Sequence, residues 1–127
     1  MKKFTKNLAI LILLLFLSQA GHAQLSEVIP KSDMIKMMDD VSDLGIAGEK
    51  NDKLMKQNET FVNDLFNIVD GDQSEEEKKD ALALLKKDNE KNLTDLLGDD
   101  AFKSYKKKMK KTFKPYKRKM KLLKFAL

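Results

Sequence analysis

"LLGDDAFKSYKKKMKKTFKPYKRKMKLL", residues 96–123, sets the fold class, because its apolar side chains follow a single period. Phe102, Tyr105, Met109, Phe113, Tyr116, Met120 and Leu123 are separated by steps of 3, 4, 4, 3, 4 and 3, the repeat of a helix face that meets a core. Nearly every other position is lysine. Gly98 reads as a helix stop, since glycine adopts the positive φ that ends a helix at no steric cost. Asp99 or Asp100 reads as the cap that satisfies the first free N–H groups of the next helix. Pro115 lies within the pattern; it lacks a backbone donor and crowds the carbonyl of Lys111, so a kink or a break is expected there.

The same period extends upstream. Ser32 can cap a first helix carrying Met34, Met37 or Met38, Val41 and Leu44 on one stripe, with Gly45 ending it. A second helix is expected over roughly 47–69, with Leu54, Phe61, Leu65 and Ile68 on one face and Met55, Val62 and Val69 widening it. "DGDQS", residues 70–74, is a turn by composition. Ser74 and Glu77 make a capping box that opens a third helix, whose Leu82, Leu85, Leu93 and Leu96 face one way. The expected fold is all-α, with three to four amphipathic helices in an open bundle or cradle-like hairpin arrangement.

Residues 1–23 form a separate unit. "MKKFTKN" is a basic leader, Leu8–Leu17 an apolar run of ten residues, and "SQAGHA" ends on small residues, the plan of a secretory signal peptide cut before Gln24. Ten residues make a helix of about 15 Å, half of a bilayer's hydrocarbon core. The mature chain, 24–127, is expected to be one exported helical domain with a lysine-rich C-terminal helix at 101–127. No cysteine is present, which excludes a lipid-anchored N-terminal cysteine and any disulfide.

His22, the only histidine, leaves with the signal. The mature residues then hold no His, Cys or Trp, which removes the usual general base, the thiol nucleophile and the His/Cys ligands of zinc. The carboxylates lie in runs on polar faces rather than singly in apolar surroundings. The reading is therefore not an enzyme, with no catalytic residue, no metal site and no cofactor. "DGDQSEEE" offers oxygen ligands at alternate positions but does not meet the twelve-residue calcium-loop pattern.

Charge is the stronger signal. Residues 24–100 hold 10 lysines against 20 acids, net −10, whereas 101–127 hold 12 lysines or arginines and no acid. So many like charges on one helix repel each other within a Debye length and call for a negative partner. Three are open: the chain's own acidic half, within one molecule or in an antiparallel dimer; an anionic envelope surface such as lipid headgroups or lipopolysaccharide phosphates; and nucleic acid, the least favoured, since no reading motif accompanies the lysines. The candidate binding surface comprises Lys103, Lys106, Lys107, Lys110, Lys114, Lys117, Arg118 and Lys121 with Phe113 and Tyr116. The methionines, adaptable side chains suited to varied partners, read first as core.

From Leu44 to Met109 the layout resembles the Spy/CpxP-like exported helical proteins, the group with two LTxxQ motifs. "IAGEK" (46–50) occupies the place of the first motif and "LGDDA" (97–101) that of the second, with "FKSY" following as the aromatic-rich continuation; both copies lack the family's Thr and Gln. Ile46, Ala47, Lys50, Leu97, Gly98 and Ala101 are the positions of the two degenerate motifs, with Ala47 and Gly98 in the place of Thr and Lys50 and Ala101 in that of Gln. The resemblance implies a thin helical cradle, a homodimer in the periplasm of a Gram-negative bacterium, acting as a chaperone or stress-response protein that binds unfolded clients or a regulatory partner without ATP.

An alternative of another class is an envelope-surface protein whose basic C-terminal helix docks on anionic lipid or lipopolysaccharide, with Phe102, Phe113, Tyr116, Leu123 and Phe125 entering the interface. Under either reading Tyr116–Leu127 is expected to be the loosest helical part. A chain ending at Lys114 is then expected to stay folded, and one ending at Leu97 not.

Overall fold

The structure is a computed structural model and describes residues 24–127; the expected signal peptide lies outside the described residues. It is all-α. Five α-helices follow one another: α1 (Leu25–Val28), α2 (Lys31–Asp39), α3 (Glu49–Val69), α4 (Glu75–Leu97) and α5 (Asp99–Lys119), with 3₁₀ turns at Ser42–Leu44 and Lys121–Phe125. Among the described residues there is no strand, and no helix is long and apolar enough to cross a membrane.

α3 and α4 make an antiparallel hairpin around which the other elements pack. Of the stripe expected of α3, Leu54, Phe61 and Leu65 are buried together with Val62 and Val69, and Phe66 joins them, whereas Ile68 is half-buried and Met55 exposed; of that expected of α4, Leu82 and Leu93 are buried, Leu85 and Leu96 are half-buried, and Leu97 joins the core. Ser74 caps α4, its Oγ accepting the N–H of Glu77 at 3.2 Å. The turn is closed from the other side by Lys78, whose Nζ donates to the Val69 carbonyl at 2.8 Å while the side chain is buried. A cation on the last carbonyls of α3 satisfies an acceptor and complements the negative end of the helix dipole.

The N-terminal part departs from expectation. Ser32 is not the cap of its helix: Pro30 stands at the N-cap, and Ser32 lies one residue inside α2, exposed. Proline fixes φ near −65° and has no N–H to leave unsatisfied, so it starts a helix without a side-chain cap. α2 also ends at Asp39, earlier than the stripe to Leu44 suggests, and Val41 reaches the core from a non-helical residue. Ahead of it, Leu25 and Ile29 are fully buried around the single turn of α1, and the Leu25 N–H donates to Asp70 Oδ1 at 2.8 Å, tying the start of the described chain to the α3–α4 turn.

At the other end, neither Asp99 nor Asp100 caps α5. Gly98 is both the last cap of α4 and the N-cap of α5, at φ 82° and ψ 165°, and no side chain accepts from the first turn. The two aspartates occupy that first turn, where they favour the positive helix end as charges. α5 then runs through Pro115 to Lys119 without dividing.

The expectation of a loose C-terminal end is corrected as well. After Met120, the 3₁₀ turn Lys121–Phe125 folds back on α4, and Leu123 and Ala126 are buried in the main core, Leu123 completely. Phe125 packs beneath the ammonium groups of Lys79 and Lys124, at 5.6 and 5.1 Å from its ring centre. The lysine density of this segment hides five apolar residues, Leu122, Leu123, Phe125, Ala126 and Leu127, whose spacing fits a tight terminal turn rather than a continued helix.

Candidate anion-binding surface

α5 is divided lengthwise by its own sequence. Its inner face carries Tyr105, Met109 and Phe113 into the core, with Phe102 and Tyr116 half-buried beside them; the Phe113 and Tyr116 rings meet at 6.2 Å and 54°. The opposite face carries Lys103, Lys107, Lys110, Lys114 and Arg118, spaced 4, 3, 4 and 4 residues apart and all exposed, with Lys111 and Lys119 alongside and Lys121 beyond the helix end. At 1.5 Å per residue the stripe is about 22 Å long.

The inner face is held by a buried polar cluster as well as by apolar contact. Asn58 of α3, with no exposed surface, donates from Nδ2 to the Met38 carbonyl at 3.1 Å and to Asp39 Oδ1 at 2.9 Å, and its Oδ1 accepts the Tyr105 hydroxyl at 3.1 Å. The C-terminus of α2, α3 and α5 therefore meet at one side chain. Burial pushes the Tyr105 phenol well above its ordinary range, an effect the Asn58 hydrogen bond partly offsets.

Only two lysines of α5 reach acids of the body among the described residues. Lys106 bridges to Glu90 of α4 at 3.0 Å and lies 5.9 Å over the Phe102 ring. Lys108 donates to the Asp40 carbonyl and to Asp43 Oδ1, the latter at 2.6 Å, and it holds the Asp43 carboxyl below its ordinary value chiefly through that hydrogen bond. The other α5 lysines have no carboxylate within ion-pair distance among the described residues. The acidic body thus neutralises a small part of the helix and leaves its outer stripe to solvent.

Lys117 is distinct. It is half-buried, and its ammonium has a lowered proton affinity, first from burial and then from the positive charges of Lys86 on α4 and Lys110 on α5. Lys86 also lines a recess between α4 and α5 with Glu90, Leu93, Phe102, Lys106 and Met109. The recess holds about 40 Å³, far less than a ligand pocket or an acyl chain needs. Among the described residues no group of three or more His, Cys, Asp or Glu is arranged to hold a metal ion.

The expected surface residues therefore separate. Lys103, Lys107, Lys110, Lys114, Arg118 and Lys121 share the exposed side; Lys106 is engaged with Glu90; Lys117 is half-buried. Phe113 is fully buried and is no part of any surface, and Tyr116 is half-covered. Because Phe113 and Leu123 belong to the core, the expected insertion of this seam into lipid is corrected: the exposed side of α5 is charged, not amphipathic. Sequence reasoning missed Lys86. Its signal lies in the pairing of α4 with α5, which a single helix pattern does not contain.

The two segments behind the family resemblance both sit at helix starts. Ile46–Lys50 leads into α3 with Gly48 at its N-cap, φ 64°, and Leu97–Ala101 forms the α4–α5 corner around Gly98; neither start has a side-chain cap. Ile46 and Ala101 are half-buried, Leu97 is buried, and Ala47, Gly98 and Lys50 are exposed. No family model, no curated protein and no solved structure matches the chain.

Proposed function

We propose that the chain is an exported, non-enzymatic helical binding protein of the Gram-negative periplasm, and that its outer α5 face docks on an anionic surface of the cell envelope. One observation carries this: a 22 Å stripe of exposed lysines, about as long as estimated from its helical rise, has no acid of its own body against it among the described residues. Docking is through charge alone, since the apolar side of the same helix is used by the core. Lysine suits such contact, because a compact hydrated ammonium gives diffuse attraction rather than bidentate recognition. Each lysine near an anionic lipid surface is worth about 1 kcal/mol, so four or five together suffice for salt-sensitive binding.

Vesicle flotation tests the proposal. The mature protein is expected to float with anionic vesicles and not with neutral ones, and replacement of Lys103, Lys107, Lys110 and Lys114 by Gln is expected to abolish flotation without loss of helicity. Equal recovery with both kinds of vesicle would remove the reading.

A second reading, the client- or regulator-binding homodimer implied by the Spy/CpxP resemblance, draws on the two degenerate segments both opening helices. Apolar surface for a client is limited: Met55 and Leu84, at 44% and 59% exposure, are the large apolar side chains left open among the described residues. An aggregation assay with an unfolding client separates the readings. Delay of aggregation at stoichiometric amounts favours the client-binding role, and no delay removes it.

A further inference from the structure

Residues 121–127 fill the groove between α4 and α5, and they do so without a directional bond to either helix. Met120, at φ −135° and ψ 104°, is the single residue between the end of α5 at Lys119 and the 3₁₀ turn that starts at Lys121, and the chain reverses there. The turn packs on both α4 and α5. Leu123 is fully buried and Ala126 buried, Leu122, Phe125 and Leu127 are half-buried, and Ala126 and Leu127 line the recess shared by Leu93, Phe102 and Met109. The backbone bonds of the segment are its own: Leu123 N–H donates to the Met120 carbonyl at 3.2 Å, and Ala126 and Leu127 N–H donate to the Leu123 carbonyl at 3.1 and 2.9 Å. Among the described residues no hydrogen bond or ion pair joins 121–127 to another element. Apolar contact holds it, with the Lys79 ammonium of α4 5.6 Å over the Phe125 ring.

We propose that residues 121–127 exchange between two copies of the chain, the turn of each filling the α4–α5 groove of the other. A segment that carries its backbone bonds with it is released by a local opening, without unfolding of the whole chain. The groove it leaves is bounded by core side chains, and the occupant that matches it is the one seen in it, so a second copy supplies the fit without any new surface. Every contact of the closed chain recurs in the exchanged pair; the two states differ in the cost of association on one side and in the hinge on the other. A hinge of one residue that must reverse the chain directly after a helix of 21 residues favours exchange, because the constraint relaxes when Met120 opens outward. The exchange is mutual and closes at two copies. It leaves the outer stripe of α5 exposed, so one particle presents two stripes; the inference itself does not rest on the docking proposal.

Cysteine cross-linking between two variants of the mature protein tests this, since the chain holds no cysteine of its own. The ammonium groups of Lys79 and Lys124 both lie over the Phe125 ring, at 5.6 and 5.1 Å, so cysteines at these positions come within reach of one short bis-maleimide, and neither change touches the core. Lys79→Cys and Lys124→Cys chains are denatured together and refolded at high protein concentration. Exchange is expected to give a covalent pair of the two chains well above the background set by Lys124→Cys with Lys53→Cys, which lies at the far end of the α3–α4 hairpin. A yield no greater than that background overturns the proposal, as does a dimer in sedimentation that fails to cross-link. The exchanged contact is apolar, so the dimer is expected to persist at high salt; dissociation by salt would assign it to pairing of the acidic and basic poles and overturn the exchange. A pair of glycines inserted after Met120 is expected to weaken the dimer about tenfold. A dimer that the insertion leaves unchanged would overturn the hinge and the proposal with it.

Discussion

Asn58 shows how a single side chain can hold three segments together. It is fully buried, makes hydrogen bonds to Met38, Asp39 and Tyr105, and so gives the C-terminus of α2 and the inner face of α5 a common partner. Asn58→Ala leaves the Tyr105 hydroxyl short of a partner and the Met38 carbonyl with a weaker set; a loss of about 2–3 kcal/mol is expected in urea unfolding. Tyr105→Phe removes only one partner of the cluster and is expected to cost about 1 kcal/mol. The same tyrosine sets a pH limit. Its pKa is raised on folding, so the unfolded chain loses this proton first; stability is unaffected by the group below pH of about 10 and falls as pH rises beyond it. Tyr105→Phe is expected to remove that alkaline decline. In the sequence Asn58 is one polar residue on a helix with many, and nothing in its neighbours marks it as buried. Lys78 is similar: a lysine within an acidic cap reads as solvated, yet it is buried because the end of α3 offers it a carbonyl.

At the scale of elements, the long helices were legible and the ends were not. α3, α4 and the inner face of α5 follow from apolar spacing, and the start of α4 from Ser74 and Glu77, because each signal is repeated over many residues or has a specific side-chain partner. α1 is four residues long and carries no period, and the terminal 3₁₀ turn is masked by its lysines. Two predictions belong here. Gly98→Ala is expected to cost about 1–3 kcal/mol by thermal melt, although a Cβ there would meet open space, because φ 82° with ψ 165° is a region that only glycine adopts freely. Leu123→Ala is expected to cost about 2–4 kcal/mol, as large-to-small changes in a closed core do. A chain ending at Lys114 loses Leu123 and Ala126 together and is expected to unfold well below the full chain. Melting equal to that of the full chain would show the terminal turn to be an appendage.

For the molecule as a whole, the division of charge is the main result. The body carries net −10 and the C-terminal 27 residues carry net +12, yet the bridges that join them involve Lys106 and Lys108 alone among the described residues. The sequence shows the imbalance and leaves its resolution open, since pairing between acids and lysines depends on which faces the helices present to each other. The fold uses the apolar side of α5 for stability and turns the lysines outward. The candidate site is therefore legible as a composition but not as a surface: which lysines are engaged, that Phe113 is enclosed, and that Lys86 joins from another helix all depend on packing. An antiparallel dimer that paired the two poles would appear in sedimentation as a species that dissociates with salt; the outward-facing account predicts that added anionic headgroups displace any such pairing.

Lysine acylation read by mass spectrometry, with and without anionic vesicles, tests the central claim most directly, because it reports each ammonium separately. Vesicles are expected to protect Lys103, Lys107, Lys110, Lys114 and Lys121 while Lys53 and Lys56 on α3 react as before. Protection that is absent, that is uniform over the chain, or that centres on α3 would contradict the account.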